Sequence, residues 1–220
     1  MIERKLLPPA MTVRVKFSKT GYAKFISHLD LQRTMMRIMR RASLPLWLTQ
    51  GFNPHPYVNF CSPLSIGIEG ENEYMDFKVS EILPFEEIKE RLSANMPTGF
   101  EILDVYQANR EYKEVQFASY RLELGVKKEK VEEFIALPEI KVIKKTKKSE
   151  KEIDLKELAT FSDLKENGEG SIITITLPNS QELSVNPHLF INALLSWAET
   201  PDAPFRTVRT AFLDGNKKKF

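Results

Sequence analysis

The strongest constraint on the fold is an order of elements, strand–helix–strand–strand–helix–strand, that can be read twice along 220 residues. In the first copy "TVRVKFSK" (12–19) alternates Val13, Val15 and Phe17 with Arg14, Lys16 and Ser18, the period-2 pattern of a half-buried strand. Residues 28–42 have helical period, and "QGFNPHPYVNF" (50–60) is a loop leading into a short extended piece. "NEYMDFKVS" (72–80) alternates again, "PFEEIKERLSANM" (84–96) is a helix with Pro84 near its first turn, and "FEILDVYQA" (100–108) is a strand.

The second copy is looser. "VQFASYRLELGV" (115–126) reads as a strand, "KKEKVEEFIAL" (127–137) as a helix stopped by Pro138, and "IKVIKKTKK" (140–148) as a strand. Residues 152–170 read as an irregular connection with a short helical turn, followed by a β-branched strand (171–178), a helix (187–198) and a strand (205–213). This order is the ferredoxin-like βαββαβ pattern, with both helices on one sheet face. The expectation is an α+β chain of two tandem ferredoxin-like domains with antiparallel sheets, residues 1–110 and 111–220. The halves share architecture without residue-level identity.

Composition narrows the functions. Hydrophobic residues make up 42% of the chain, enough for a core, while 32 Lys+Arg against 30 Asp+Glu leave a net charge of only +2. Attraction to nucleic acid therefore has to come from local clustering. Cys61 is the single cysteine, which excludes an internal disulfide, a Cys₄ zinc site and an iron–sulfur cluster held by this chain alone. With no apolar run near 18 residues and no signal-peptide profile, a cytoplasmic location without membrane contact is expected; "MIERKLLPPA" reads as a flexible lead-in.

Placed on a helix, residues 28–41 put Leu31, Met35, Ile38 and Met39 on one stripe and Arg33, Arg37, Arg40 and Arg41 on the other side. Either that second face is simply solvated, or it meets an anion such as RNA phosphate or an acidic protein surface. Ser27 and Asp30 have the spacing of a capping box, Asp being a shorter arm than the usual Glu. His28 then takes the first helical position, where it can be a base, a ligand or merely a hydrogen-bonder.

The loop 49–74 gathers Gln50, Asn53, His55, Asn59 and Cys61 among Pro54, Pro56 and Pro63 and Gly51, Gly67 and Gly70. Stiff polar loops beside a sheet are common places for binding sites. His28, His55 and Cys61 lack any paired metal-ligand spacing, so no metal and no cofactor is assigned. Cys61 reads as a buried structural residue and His188 as a surface or capping one. The six lysines of residues 140–151 serve to blunt a strand edge or to touch phosphate, and "NKKKF" reads as a flexible tail.

The residues "KFSKTGYAKFISHLDL", "MRRASLP", "TQGFNPHP" and "PLSIGIEGENEYMD" closely resemble the radical SAM-linked protein family, a bacterial domain of unknown function. The resemblance covers the first domain and extends to the second in layout only. It implies a radical SAM protein as partner, on a separate chain, and places Ser27, His28, Asp30, Gln50, Gly51, Asn53 and Pro54 in a functional patch. This chain has no C-x-x-x-C-x-x-C, as expected of an accessory subunit. The leading expectation is an accessory subunit that binds RNA, tRNA or rRNA, or protein. The alternatives are a purely structural adaptor and an RNA-processing endonuclease using His28. The last rests on a fold-level resemblance to CRISPR repeat-processing enzymes, whose glycine-rich loop before the final strand is missing from "SWAETPDAPFRT" (196–207).

Overall fold

The computed structural model describes residues 9–145 and 150–220. Nearly all of the lead-in and part of the lysine-rich stretch, residues 146–149, lie outside the described residues. Among the described residues the fold is mixed α and β, with five α-helices and antiparallel strand pairings throughout those described below. The chain divides into two compact units, one ending at Tyr112 and the other starting at Lys113.

Unit 1 contains β1 (Met11–Lys19), a 3₁₀ turn (Gly21–Phe25), α1 (His28–Arg41), β2 (Val58–Phe60), β3 (Ile68–Val79), α2 (Phe85–Ser93) and β4 (Phe100–Gln107). Its strands pair in the order β4-β1-β3-β2. Val13, Val15 and Phe17 form one face of β1 and are fully buried with Met75, Phe77 and Val79 of β3. The same core takes Leu31, Met35, Ile38 and Met39 from α1 and Ile88 and Leu92 from α2, so both helices cover that face. The helical stripe is as the periodicity predicts.

The opposite face of β1 differs from its expected half-exposed state. Arg14 is 2% exposed. Its Nε and Nη2 donate to the two carboxylate oxygens of Asp76, each at 2.8 Å. Nη2 also donates to the carbonyl of Arg110 at 2.8 Å, and the guanidinium lies 4.3 Å from the Tyr112 ring centroid. The Tyr112 hydroxyl completes the cluster by donating to Asp76 at 2.7 Å. Burial and the Asp76 carboxylate together push the Tyr112 phenol well above its ordinary pKa. Burial is the largest influence on Arg14 and opposes its charge, yet the Asp76 hydrogen bond together with the electrostatic attraction of Tyr112, Asp76 and Tyr106 outweighs it, holding the guanidinium above its ordinary pKa. The cluster ties the segment leaving unit 1 to its sheet.

Unit 2 contains β5 (Val115–Leu124), α3 (Lys128–Ile135), β6 (Lys141–Lys145), β7 (Glu150–Asp154), α4 (Leu155–Leu158), β8 (Thr160–Asn167), β9 (Gly170–Pro178), α5 (His188–Trp197) and β10 (Phe205–Asp214). Its main sheet runs β10-β5-β9-β8. The strand expected at 140–148 is not in that sheet: β6 pairs with β7 in a separate hairpin, Lys145 facing Glu150 at 2.9 Å. The sheet position belongs to β8, within the stretch that reads as irregular. A register shift between Ser162 and Lys165, with Asp163 at φ +54°, interrupts the alternation that would have marked the strand. The expected helical turn is α4. The "NKKKF" end folds back on β10, with Asp214 and Phe212 backbone groups bonded to Lys218 and Phe220.

Candidate functional site

The helix α1 begins as its sequence requires. The Ser27 hydroxyl oxygen accepts from the Asp30 backbone N–H at 3.2 Å and the hydroxyl donates to the Asp30 carboxylate at 2.7 Å. The short aspartate arm thus meets the serine side chain itself, where a longer glutamate would reach the cap's backbone. Arg33 lies 3.5 Å from Asp30 in an exposed pair, a contact of small energetic weight. Further along, Arg37, Arg40 and Arg41 surround an open hollow of about 490 Å³ with Thr34 and Pro97. Arg41 donates to the Asn95 carbonyl at 3.5 Å. Among the described residues no carboxylate pairs with Arg37, Arg40 or Arg41.

His28 sits at the first helical position, half-buried, with its ring edge-on to Phe60 at 5.2 Å. Phe60 in turn meets Phe17 edge-on at 6.2 Å, so the imidazole forms the margin of the unit 1 core.

The loop residues form their own structure. Leu46 bridges to Val79 and Leu48 to Pro56, making residues 46–58 a narrow hairpin beside β3. Thr49 N–H donates to the His55 carbonyl at 2.8 Å, and His55 N–H donates to the Thr49 hydroxyl oxygen at 3.2 Å. His55 Nδ1 lies 2.9 Å from the Asn53 carbonyl, which can only accept; Nδ1 therefore carries the proton and Nε2 the lone pair in the neutral ring. Gln50, Gly51, Phe52, Asn53 and Pro54 form an exposed tip, with Phe52 fully exposed and Gly51 at φ +142°, a conformation that favours glycine. At the base of the hairpin the Lys78 ammonium lies 4.4 Å from the Tyr57 ring centroid and 5.3 Å from that of Trp47.

The candidate residues thus fall into three sets. Ser27, His28 and Asp30 cap α1, the arginines line its outer side, and Gln50, Gly51, Asn53 and His55 belong to the hairpin. Among the described residues no hydrogen bond, ion pair or ring contact joins Gln50, Asn53 or His55 to Ser27, His28 or Asp30. No group of three or more His, Cys, Asp and Glu among them could hold a metal ion. Cys61 is half-buried, its backbone N–H donating to the Tyr74 carbonyl at 3.0 Å. Burial raises the neighbouring Tyr74 phenol to about 12. No helix among the described residues is long and apolar enough to cross a membrane.

Several structural residues carry no local signal in the sequence. Buried Lys19 donates to the Ile26 carbonyl at 2.9 Å, and buried Glu69 accepts from Gly21 N–H at 3.4 Å and pairs with Lys24 at 3.6 Å. These contacts fasten the 3₁₀ turn before α1.

A family profile described as an uncharacterized protein conserved in bacteria (DUF2344) matches residues 12–187. The chain belongs to this family. The match takes in β1, α1 with its arginines, the hairpin and β3, and stops immediately before α5. No curated protein matches the chain.

Proposed function

We propose that this chain is an accessory subunit that binds RNA through α1 and works beside a radical SAM protein. Both units are, in this reading, ferredoxin-like. What supports that is the strand order, β4-β1-β3-β2 in unit 1 and β10-β5-β9-β8 in unit 2, each with the two strands entering the paired helices at the centre. In unit 2 the β6–β7 hairpin and α4 are then an insertion between α3 and β8.

The observation that carries RNA binding is the hollow of Arg37, Arg40 and Arg41 without a carboxylate partner. An ordinary solvated helix face mixes signs, whereas adjacent guanidinium forks suit phosphate oxygens. Among the described residues no hydrogen bond or ring contact joins His28 to His55, which favours a binding role over acid–base cleavage, a reaction that needs its groups assembled on one reacting atom. The radical SAM partner comes from the resemblance of the α1 and hairpin motifs, and we assign its contact to the hairpin tip, where Phe52 is wholly exposed.

Capture of cellular RNA on the full chain at low salt tests the reading. Arg37→Glu with Arg40→Glu is expected to lower RNA retention at least about tenfold, each lost phosphate contact also weakening the salt dependence. Unaltered RNA retention in that variant would overturn RNA binding by α1. Co-purification with the radical SAM protein that withstands nuclease and is lost in Phe52→Ala supports the second assignment.

A further inference from the structure

We infer that the RNA bound by α1 is single-stranded, and that its bases stack on an apolar platform continuing the arginine row at the N-terminal end of the helix. This rests on the RNA-binding reading above. The platform consists of Tyr22 (91% exposed), Phe25 (59%), Leu29 (53%) and Ile66 (56%). Single apolar residues at a surface are unremarkable, but these four come from the 3₁₀ turn, the first turn of α1 and the segment hydrogen-bonded to that turn. Tyr22 and Phe25 are three positions apart on the 3₁₀ turn, where such positions share a face, and Leu29 lies in the first turn of α1 that follows it. Gly67 N–H donates to the Lys24 carbonyl at 2.9 Å, bringing the Ile66 segment against the turn.

The platform is rigidly mounted. Lys19 and Glu69 hold both ends of the turn that carries Tyr22 and Phe25. Beneath it Gly99, at φ +89°, packs so closely that a Cβ would lie 2.8 Å from the Thr20 carbonyl oxygen. A pre-formed surface loses little conformational freedom when a flexible ligand settles on it. The Lys24 ammonium, paired with the Glu69 carboxylate at 3.6 Å, lies 5.4 Å from the Phe25 ring centroid and braces that ring.

The occupant follows from what borders the platform. At about 100° per residue, Leu29, Arg33, Arg37 and Arg40 fall within roughly 80° of arc, one exposed stripe running along about 16 Å of helix. An arginine row alone would attract any polyanion. Exposed aromatic rings at its end add a partner for flat, unpaired bases, which a duplex keeps stacked inside itself. Charge and stacking together are complementary to a single strand.

Anisotropy with the full chain and a labelled oligo(U) or oligo(A) of about a dozen nucleotides, against a hairpin duplex of equal charge, tests this. Tyr22→Ala with Phe25→Ala is expected to weaken single-strand binding about tenfold or more while leaving the slope of log affinity against log salt unchanged. Arg37→Ala with Arg40→Ala is expected to flatten that slope by about 1.4, since each single-strand phosphate contact contributes about 0.7. Phe25→Tyr, which keeps a stacking ring, should bind as the parent does. If the aromatic variant binds like the parent while the arginine variant fails, the platform serves another partner such as an acidic protein segment, and the stacking inference falls although RNA binding stands. Tighter binding to the duplex also overturns it. A parent chain that binds no RNA at low salt removes the RNA reading and this inference together.

Discussion

The helix that opens unit 1 and the last helix of unit 2 begin alike. Each has a histidine at its first position, edge-on to a phenylalanine: His28 on Phe60 at 5.2 Å and His188 on Phe205 at 5.5 Å. Beyond that first turn they diverge. Helix α1 buries four apolar residues and exposes Arg33, Arg37, Arg40 and Arg41, whereas α5, "HLFINALLSW", contains no charged residue. A histidine at a helix start is therefore compatible with packing alone, and the arginine face is what sets α1 apart. The interiors differ as well. Unit 1 buries Arg14 against the Asp76 carboxylate and Tyr112, whereas the buried arginine of unit 2, Arg209, lies 4.4 Å from the Phe212 ring centroid, and Phe134 meets Phe190 at 5.6 Å and Phe190 meets Phe161 at 5.3 Å.

The largest effect should come from breaking that contrast in unit 1. Asp76→Ala leaves the Arg14 guanidinium buried beside an apolar residue, and a cost of about 3–5 kcal/mol is expected in urea unfolding. Phe190→Ala in unit 2 should cost a similar amount, about 3–5 kcal/mol, by a different route, a cavity. The two are distinguished by the paired change Arg14→Met with Asp76→Leu, which removes both charges and should recover most of the loss. A cost below about 1 kcal/mol for Asp76→Ala, the scale of an exposed pair, would mean that the cluster does not anchor unit 1.

How far these regions were legible follows from the range of their interactions. The α1 core stripe, its Ser27/Asp30 cap and its arginine face are set by residues within four positions of one another, and helical period exposes them directly. Arg14 reads as half-exposed because strand alternation reports only which face a side chain joins. What covers that face is Tyr112, beside an Arg110 carbonyl 96 positions away. The register shift at Asp163 hides strand β8 from its alternation, and β6 reads as a main-sheet strand although among the described residues it pairs with β7. At the candidate site, the sequence names the hairpin residues but not that His55 is engaged by Thr49 and Asn53. Nor does it show that Tyr22, Phe25 and Ile66 remain exposed, since nothing local distinguishes an uncovered aromatic residue from a core one.

A second, smaller effect sharpens the comparison of the two helix starts. Ser27→Ala removes the oxygen that accepts the Asp30 N–H, and a loss of about 1 kcal/mol is expected from its thermal unfolding. Helix α5 is capped one residue earlier: Pro187 makes no capping hydrogen bond, and Asn186 Oδ1 accepts the His188 backbone N–H at 2.9 Å, so Ser27→Ala acts on α1 alone. Ser27→Asp should retain most of the stability, because a carboxylate accepts the same N–H and suits the positive end of the helix. Equal losses for Ala and Asp would show that the serine acts through something other than the cap.

The smallest effect concerns His188 and appears only as pH changes. Burial lowers the pKa of its imidazole below the ordinary 6.5, and among the described residues its buried Nε2 has no hydrogen-bond partner to stabilise a proton. The unfolded chain, with His188 in water, then binds the proton more readily than the folded one. By linkage, stability rises with pH in this window: the contribution is full above about 6.5 and is lost as pH falls toward the lowered folded value. Urea midpoints at about pH 5 and pH 7.5 for the parent and His188→Gln measure it, the parent being expected to gain more between the two. Many carboxylates also titrate at the acid end, but they are common to both proteins, so the difference isolates the imidazole. Parallel curves would show that the His188–Phe205 contact tolerates a charged ring.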